Sequence, residues 1–494
     1  MSKTTKRSII ISLAVLSQIQ LTNCSTDNQR EDLPNVILLM ADDLGWGDTG
    51  YNGNPVIKTP NLDQMAAEGI QFNRFYSAAP VCSPTRASCL TGRHPYRTGV
   101  FFANTGILRP EEITIAEVLN QKGYTCGHFG KWHLGTFTTN EKDANRGGPD
   151  QPEFLNPPTE HGFETYFSTE SKVPTWDPML KPVKFEKPES AGFGWNYLKS
   201  DEPSLPYGTH YWSPDGMVTE NLRGNDSRVI MDRAIPFIEE AVKSDRPFLA
   251  VIWFHAPHLP CVAGPEYAAM YKDQHFKLQQ YAGSVTAMDD QIGRLRTSLK
   301  QLGIGDNTMI WFCSDNGPEG KDTAPGRTGG FRGRKRSLFE GGVRVPGTVV
   351  WPKVVKHAEV NTPVVTSDLM PTIIEAAGAE AGQDDRMMDG ESILPVLKGE
   401  VWERKEPVGF ASSNHFSYNG RQYKMVDGNQ LYDILDDPFE QNDIAKDHPD
   451  ILERYNNDFT NWYESCRQSF EGKEYGTSSL KRVRQNYPEM NLRE

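Results

Sequence analysis

The chain has 494 residues, with 52 Lys or Arg against 65 Asp or Glu, and a formal net charge of −13. That balance argues against nucleic acid as a partner, because such binders neutralise phosphates with a surplus of Lys and Arg. A mean hydropathy of −0.58 excludes a polytopic membrane protein, and the length exceeds one usual core, predicting two or three units.

Lys3, Lys6 and Arg7 precede an apolar run from Ile9 to Leu16 that is too short to span a bilayer and reads as an export signal. Leu21-Thr22-Asn23-Cys24 resembles a bacterial lipoprotein cleavage site, with Cys24 as the residue a lipid would join; Asn23 departs from the usual small residue, so ordinary cleavage nearby stays open. The expectation is a signal over 1–24 and a polar tether over 25–33, on a protein exported to the periplasm or held at the cell surface as a lipoprotein. Seven cysteines are too few for a disulfide scaffold and leave their pairing open, and no Cys-x-x-Cys or Cys/His cluster suggests structural zinc.

Asn35-Val36-Ile37-Leu38-Leu39-Met40-Ala41 predicts a buried parallel strand that ends on Asp42-Asp43. Two adjacent carboxylates at a strand end repel unless something positive sits there, which a hard cation would supply. Thr59-Pro60 opens a helix through Leu62, Met65 and Ala66 that closes at Gly69, and a short strand follows around Phe72 to Tyr76. In Val81-Cys82-Ser83-Pro84-Thr85-Arg86, Ser83-Pro84 reads as the N-cap and first position of a helix. Cys82 then stands at a helix N-terminus, where free N–H groups favour an anion, with Arg86 one turn on. Those residues alone allow a thiolate nucleophile, an anion pocket or a buried structural cysteine.

A helix from Thr114 to Lys122 leads to a strand, Tyr124 to Phe129, that ends on Gly130-Lys131-Trp132-His133. Residues 136–211 are rich in Gly, Pro, Asn and aromatics and predict loops over the ligand edge, where Trp176 offers a stacking platform for a sugar or a packing residue. A helix over Val229 to Lys243 precedes a strand, Pro247 to Phe254, that ends on His255-Ala256-Pro257-His258. A second helix from Tyr281 to Leu302 precedes the strand Thr308 to Ser314, which ends on Asp315-Asn316. Four strands ending in metal- or proton-active residues match the rule that open α/β sheets bind ligands beyond their strands' carboxyl ends. Gly329 to Arg336 is a glycine-spaced basic run before Phe339-Glu340-Gly341-Gly342-Val343-Arg344-Val345-Pro346, and favours an anion-facing loop. Past Gly378, Phe410-Ala411, Tyr423 to Val426 and Leu431 to Asp433 predict short antiparallel strands, and Ile451 to Cys466 a packing helix.

The pattern Cys82-x-Pro84-x-Arg86, running on into Leu90-Thr91-Gly92-Arg93, resembles the maturation signature of type I sulfatases, of the kind found in exported bacterial polysaccharide sulfatases. Gly123-Tyr124 through Gly130-Lys131-Trp132-His133 is similar to that family's second signature. Glu340-Gly341-Gly342-x-Arg344-x-Pro346 and Leu431-Tyr432-Asp433 resemble it further on. The resemblance implies an α/β, alkaline-phosphatase-like fold: a large mixed sheet sandwiched by helices over 34–378, and a smaller C-terminal antiparallel sheet with a helix over 379–494.

It also implies sulfate-ester hydrolysis, most naturally on sulfated carbohydrates, with Cys82 oxidised to formylglycine by a formylglycine-generating or radical maturation enzyme. Asp42, Asp43, Asp315 and Asn316 would then ligate Ca²⁺, with Mg²⁺ as the alternative, and residue 82 and a sulfate oxygen would complete the shell. Arg86, Lys131 and Lys335 would hold the sulfate, His255 would protonate the leaving oxygen with help from Lys335, and His133 would take the proton that expels sulfate. His258 and Trp176 are expected as substrate contacts. The competing readings are a phosphonate monoester or phosphodiester hydrolase of the same superfamily, a non-catalytic binder of sulfated glycans, and a thiol enzyme using unmodified Cys82.

Overall fold

Asn35–Ala41 forms the strand that its unbroken apolar run requires, since a parallel strand covered on both faces has no polar side to show. In this computed structural model residues 33–184, 193, 195–199, 202–380, 386–474 and 485–490 are described. Cys24, the signal segment and residues 25–32 of the tether lie outside them.

Among the described residues, ten strands build the main sheet: β1 (Asn35–Ala41), β2 (Ile70–Phe72), β3 (Thr125–Lys131), β4 (Thr165–Thr169), β5 (Trp212–Ser213), β6 (Gly216–Met217), β7 (Phe248–Trp253), β8 (Thr308–Ser314), β9 (Gly347–Val350) and β10 (Ala358–Val360). Their order is β10-β2-β9-β8-β1-β7-β3-β4-β5-β6. The run from β8 through β1, β7 and β3 to β4 is parallel, and antiparallel pairs flank it on both sides. This is the large mixed sheet of the alkaline-phosphatase-like class.

The helices that matter below are α1 (Pro60–Glu68), α2 (Cys82–Thr91), α3 (Ile115–Asn120), α4 (Asp226–Lys243), α5 (Phe276–Gln301) and α6 (Pro449–Phe470). Ile37 and Leu39 of β1, Ile252 of β7 and Phe312 of β8 share a buried core with Ile230 and Ala234 of α4 and Met288 and Ile292 of α5. Each of these except Ala234 contributes about 1.5–3 kcal/mol by leaving water. The intervening Val36, Leu38 and Met40 are buried as well. On that second face Cys126 of β3 meets α3, its Sγ 3.6 Å from the Ala116 carbonyl. Six cysteines, from Cys82 to Cys466, are buried and unpaired.

Two local readings change. The loop-rich stretch 136–211 contains β4, which pairs with β3 from Gly127↔Thr165 to Lys131↔Thr169. Thr-Tyr-Phe-Ser-Thr shows no clean period of two, so main-chain pairing rather than pattern makes it a strand. Helix α2 starts at Cys82 with extended Val81 as its cap (φ −149°, ψ 154°), not at Ser83. Pro84 still falls in the first turn, where a missing N–H leaves no bond unmade.

The C-terminal strands β11 (Val408–Ser412), β12 (His415–Asn419), β13 (Tyr423–Val426) and β14 (Gln430–Asp433) form an antiparallel sheet in chain order. Helix α6 covers it, with Phe459 stacked on Phe416 at 4.5 Å. Strand β12 is an addition to the sequence reading: its inward pair, Phe416 and Tyr418, is too short an alternation to stand out.

Lys424 of β13 binds this sheet to the segment that follows the basic run. Its Nζ lies 2.9 Å from both Glu340 and Glu440, and all three side chains are inaccessible to solvent. Glu440 also accepts the Glu340 N–H at 2.8 Å. Burial pushes the Glu440 carboxyl up to about 7, against the pull of Lys424. Removing the shared cation strands two buried carboxylates. Lys424→Met is therefore expected to cost about 3–5 kcal/mol, read from the urea midpoint at neutral pH; a midpoint within experimental error of the parent's would show that the pair needs no counter-charge.

Candidate active site

The parallel strands bring their C-terminal residues to one edge. Ala41 pairs with Ser314 and Met40 with Trp253, so β1, β8 and β7 end level. Trp253 in turn pairs with Gly130 of β3. Asp42 and Asp43, Asp315 and Asn316, Lys131 and His133, and His255 and His258 therefore emerge side by side, as the four strand ends predicted. Cys82 enters from below this edge at the start of α2. Its Sγ and one oxygen each of Asp42 and Asp315 lie within 4.8 Å of one another.

Lys335 arrives from the glycine-spaced basic run. Main-chain bonds from Arg336 N–H to the Pro80 carbonyl (2.8 Å) and from Lys335 N–H to Pro318 (3.2 Å) lay that run beside the Cys82 turn. Gly341 and Gly342 follow it, where a Cβ would come within 2.2 Å and 2.0 Å of backbone oxygens. The two glycines thus let the chain fold back on itself.

Charges alternate through the cluster. Lys131 Nζ donates to Asp42 Oδ2 at 2.7 Å, Lys335 Nζ to Asp43 Oδ1 at 2.6 Å, and Arg86 to Asp315 Oδ2 at 2.6 Å and 3.2 Å. Burial works against the charge on each lysine, but Asp42 and Asp43 outweigh it and hold both ammonium groups above their usual range. Asp43 is likewise held well below the carboxylate range, with Lys335 and then His258 overcoming its burial. Asp315 is pushed up to about 6, by burial and by neighbouring Asp42, despite Arg86.

Arg86 was expected on the sulfate. The structure instead directs its remaining Nη1 to the Lys131 carbonyl at 2.9 Å and leaves the side chain wholly buried, so the guanidinium fastens Asp315 to β3. Burial pushes the Cys82 thiol up, and Lys131 and Lys335 do not reverse it.

Within the cluster three buried oxygens have no hydrogen-bond partner: Asp42 Oδ1, Asp43 Oδ2 and Asn316 Oδ1. Every other oxygen of the four acidic and amide groups accepts a bond: Asp42 Oδ2 from Lys131, Asp43 Oδ1 from Lys335 and Asn316, Asp315 Oδ1 from the Asp43 N–H, and Asp315 Oδ2 from Arg86. Buried lone pairs without donors are costly, and hard oxygens with carboxylate charge suit Ca²⁺ or Mg²⁺. The residues fit a divalent cation. Asp43 sits at φ 65°, a left-handed turn that Asp tolerates better than most and that aims its carboxylate into the cluster.

The histidines separate by their partners. His133 Nε2 faces Asn104 Oδ1 at 2.8 Å, an oxygen that also accepts from Asn145 Nδ2 at 3.1 Å. As an acceptor, that oxygen assigns the ring proton to Nε2 and leaves the buried, unpartnered Nδ1 as a bare base. Burial first, then Lys131 and Arg146, hold His133 well below its usual range, so it is neutral.

His255, the proton donor to the leaving group that the resemblance implies, is fully buried. Its Nδ1 bonds Asp226 at 2.9 Å and its Nε2 bonds Thr169 at 2.8 Å. His258 is the nearer ring, with Nδ1 bonded to the Leu259 carbonyl at 2.6 Å and Nε2 lying 3.6 Å from Asp43 Oδ2. Trp176 packs on Gly264, where a Cβ would come 2.0 Å from the indole, so that ring face belongs to the loop and not to a sugar.

The chain matches the family described as Sulfatase over residues 34–379 and, over 329–457, the one described as N-sulphoglucosamine sulphohydrolase, C-terminal. It is 33% identical over 434 residues to the steryl-sulfatase of Rattus norvegicus, covering 78% of this chain and 73% of that one. It is 32% identical over 405 residues to the N-acetylgalactosamine-6-sulfatase of Mus musculus, covering 77% and 69%. Among solved structures, Ps i-CgsB in complex with k-i-k-neocarrahexaose superposes with a TM-score of 0.74 at 28% identity, over 91% of this chain and 96% of that one.

The unpartnered oxygens generate a test that does not depend on turnover. Chelation should lower the melting temperature, and Ca²⁺ at a hundredfold its Kd should restore about 2.7 kcal/mol. The same addition to Asn316→Ala should restore less; melting curves indifferent to both treatments would remove the cation from this cluster.

Proposed function

Because this chain belongs to the sulfatase family and hydrolyses sulfate esters, we propose that it acts on sulfated carbohydrates, using formylglycine made from Cys82 and a divalent cation held by Asp42, Asp43, Asp315 and Asn316. The observation that carries the reading is that residue 82 lies within 4.8 Å of Asp42 and Asp315 at the sheet edge where Asp42, Asp43 and Asn316 each keep a buried oxygen without a hydrogen-bond partner. The substrate class is supported by relatives named N-acetylgalactosamine-6-sulfatase and by the complex with k-i-k-neocarrahexaose. Export, read from residues outside the described ones, belongs to the same proposal, as does the maturation enzyme that would oxidise Cys82. A likeness to the phosphonate monoester hydrolase of Agrobacterium radiobacter, at 19% identity and a TM-score of 0.60, extends to the fold alone.

The cation, when bound, would acidify a neighbouring hydroxyl and polarise the ester. Formylglycine would supply a hydrated aldehyde, one oxygen to attack sulfur and a second whose deprotonation releases sulfate, which a serine or a thiol cannot do. Lys131 and Lys335 each have N–H donors beyond the one given to a carboxylate, and these would hold the sulfate oxygens. Neutral His133 presents Nδ1 to take the proton from the second hydroxyl.

The proton for the leaving sugar oxygen is assigned to His258 in place of His255. The Nδ1–H of His258 is given to the Leu259 carbonyl and Nε2 faces the cluster, so Nε2 can donate only after the ring has become an imidazolium; burial, against the pull of Asp43, holds that form off in the free protein, and the negative charge of a bound sulfate ester would favour it. His255, gripped by Asp226 and Thr169, fixes the loop that carries His258. Arg86 orients Asp315 and does not touch the substrate.

Two outcomes test this. The peptide spanning residue 82 should be lighter than the cysteine form and resist thiol alkylation, and Cys82→Ala should abolish turnover while the protein still melts cooperatively; an alkylatable thiol in active enzyme would refute the nucleophile. His258→Ala should slow sugar sulfates by about 10²–10⁴-fold and aryl sulfates much less, because a phenolate leaves with little protonation. Equal losses on both substrates would deny His258 the proton, and a leaving-group dependence that instead followed His255→Ala would return the role to that residue.

A further inference from the structure

The segment after β4 carries a lysine that neither the sequence reading nor the mechanism uses. Strand β4 ends at Thr169, paired with Lys131 of β3, so the residues beyond it come out at the same edge as the carboxylate cluster. Their backbone is fixed on both sides of position 172. Thr169 Oγ1 lies 2.6 Å from the Ser171 carbonyl, Asn145 Nδ2 donates to Ser171 Oγ at 3.0 Å, and Val173 is fully buried. Thr175 Oγ1 bridges the carbonyl and N–H of Val262, both at 2.7 Å. Lys172 projects from this clamped turn and is half-buried.

Its charge is unlike the others at the edge. Arg86, Lys131 and Lys335 each hold a carboxylate within 2.7 Å. Lys172 makes no hydrogen bond or ion pair with any described residue. The charges that act on it are Lys131 and Lys335, which repel it, and Asp42 and Asp43, which those two lysines already neutralise. Burial and that repulsion lower its hold on a proton, so an incoming anion would strengthen it. The strand that roots it lies three places from β1, about 14 Å across the sheet at ~4.8 Å per strand. Lys172 is thus offset to one side of the carboxylates, where a neighbouring part of the substrate would lie.

We propose that Lys172 is a specificity residue, pairing with a second anionic group of the substrate, a sulfate or a carboxylate beside the ester that is cleaved. The reacting ester already has Lys131 and Lys335 to receive it, whereas the fourth cation has no acceptor among the described residues. The inference rests on the sulfated-carbohydrate reading and sharpens it: the enzyme prefers sugars that carry more than one negative charge.

The experiment compares kcat/KM of the parent, Lys172→Ala and Lys172→Arg on three sets of substrates. These are galactose and N-acetylgalactosamine carrying one sulfate, the same sugars carrying two, and monosulfated disaccharides with an adjoining uronate. Lys172→Ala should lose about 10- to 100-fold, mostly in KM, on the doubly anionic substrates only, with its melting curve unchanged and Lys172→Arg retaining the preference. Loss on the disulfated but not the uronate set, or the reverse, identifies the second anion. Equal loss on singly and doubly charged sugars would overturn the proposal by placing Lys172 on the reacting sulfate, and no loss on either would overturn it outright. Lys172→Gln repeats the comparison if the alanine variant melts early. A parent protein inactive on every sugar, yet active on aryl sulfates, would remove the carbohydrate reading and this inference with it.

Discussion

Three carboxylates and three cations buried at the ends of β8, β1 and β3 form the constraint on which the rest depends. Taken singly, each ion would lose several kcal/mol of hydration. Interleaved at 2.6–2.7 Å, they compensate one another, and the arrangement holds only if the strands end level and the basic run returns to the same edge. The register Ala41↔Ser314 and the bond from Arg336 to Pro80 are therefore as much a part of the site as the ions. What the interleaving leaves over is chemical capacity: three oxygens without donors, and lysine N–H groups beyond those given to Asp42 and Asp43. The first suit a cation and the second an oxyanion. A site neutral within itself can take both.

The histidines show how partners, and not residue type, set a role. All three lie at strand ends on the same edge. His133 is neutral because burial and two cations make a further charge costly, and its proton is confined to Nε2 by an amide oxygen that accepts from two donors. His255 has no free nitrogen, since Asp226 and Thr169 occupy both. Tyr211 donates to the same Asp226 at 2.6 Å, which locks the carboxylate as well as the ring. His258 has one nitrogen tied to a carbonyl and one directed at Asp43. A ring that must move a proton needs an open nitrogen, and this decides between residues that look alike in the sequence.

Much of this edge was legible beforehand, and for a physical reason. A buried strand that stops on Asp-Asp, Lys-x-His or Asp-Asn announces an unpaid electrostatic debt at a sheet's ligand side, and the period of the pattern says which end is meant. The ring proposed above as the proton donor was not legible. His255-Ala256-Pro257-His258 leaves its strand as irregular chain, where no periodicity tells which ring turns inward. The answer lies in Asp226 at the start of α4 and in Thr169 at the end of β4, a strand that the loop-rich composition around it concealed. Arg86 was assigned to the sulfate for its charge, but its burial could be known only once Asp315 and the Lys131 carbonyl were seen to surround it. Trp176 offers a stacking platform by its aromatic ring alone, and nothing in the sequence shows that Gly264 packs against that ring.

The distant C-terminal sheet enters the chemistry through one chain of contacts. Lys424 bridges Glu340 and Glu440 at the foot of the glycine pair, and Glu340 also accepts the Tyr76 hydroxyl at 2.9 Å, just upstream of the Cys82 turn. Glu340 is thus held from three directions, and it closes the segment that begins at Lys335. A lysine expected to steady a developing negative charge must be placed to within about half an ångström, and a glycine-spaced run has too much freedom to do this unaided. The small sheet supplies the missing restraint: it fixes one end of the run through buried ions while Pro80 and Pro318 fix the middle through main-chain bonds. Lys335 can therefore sit on a mobile kind of sequence and still act as a rigid part of the site.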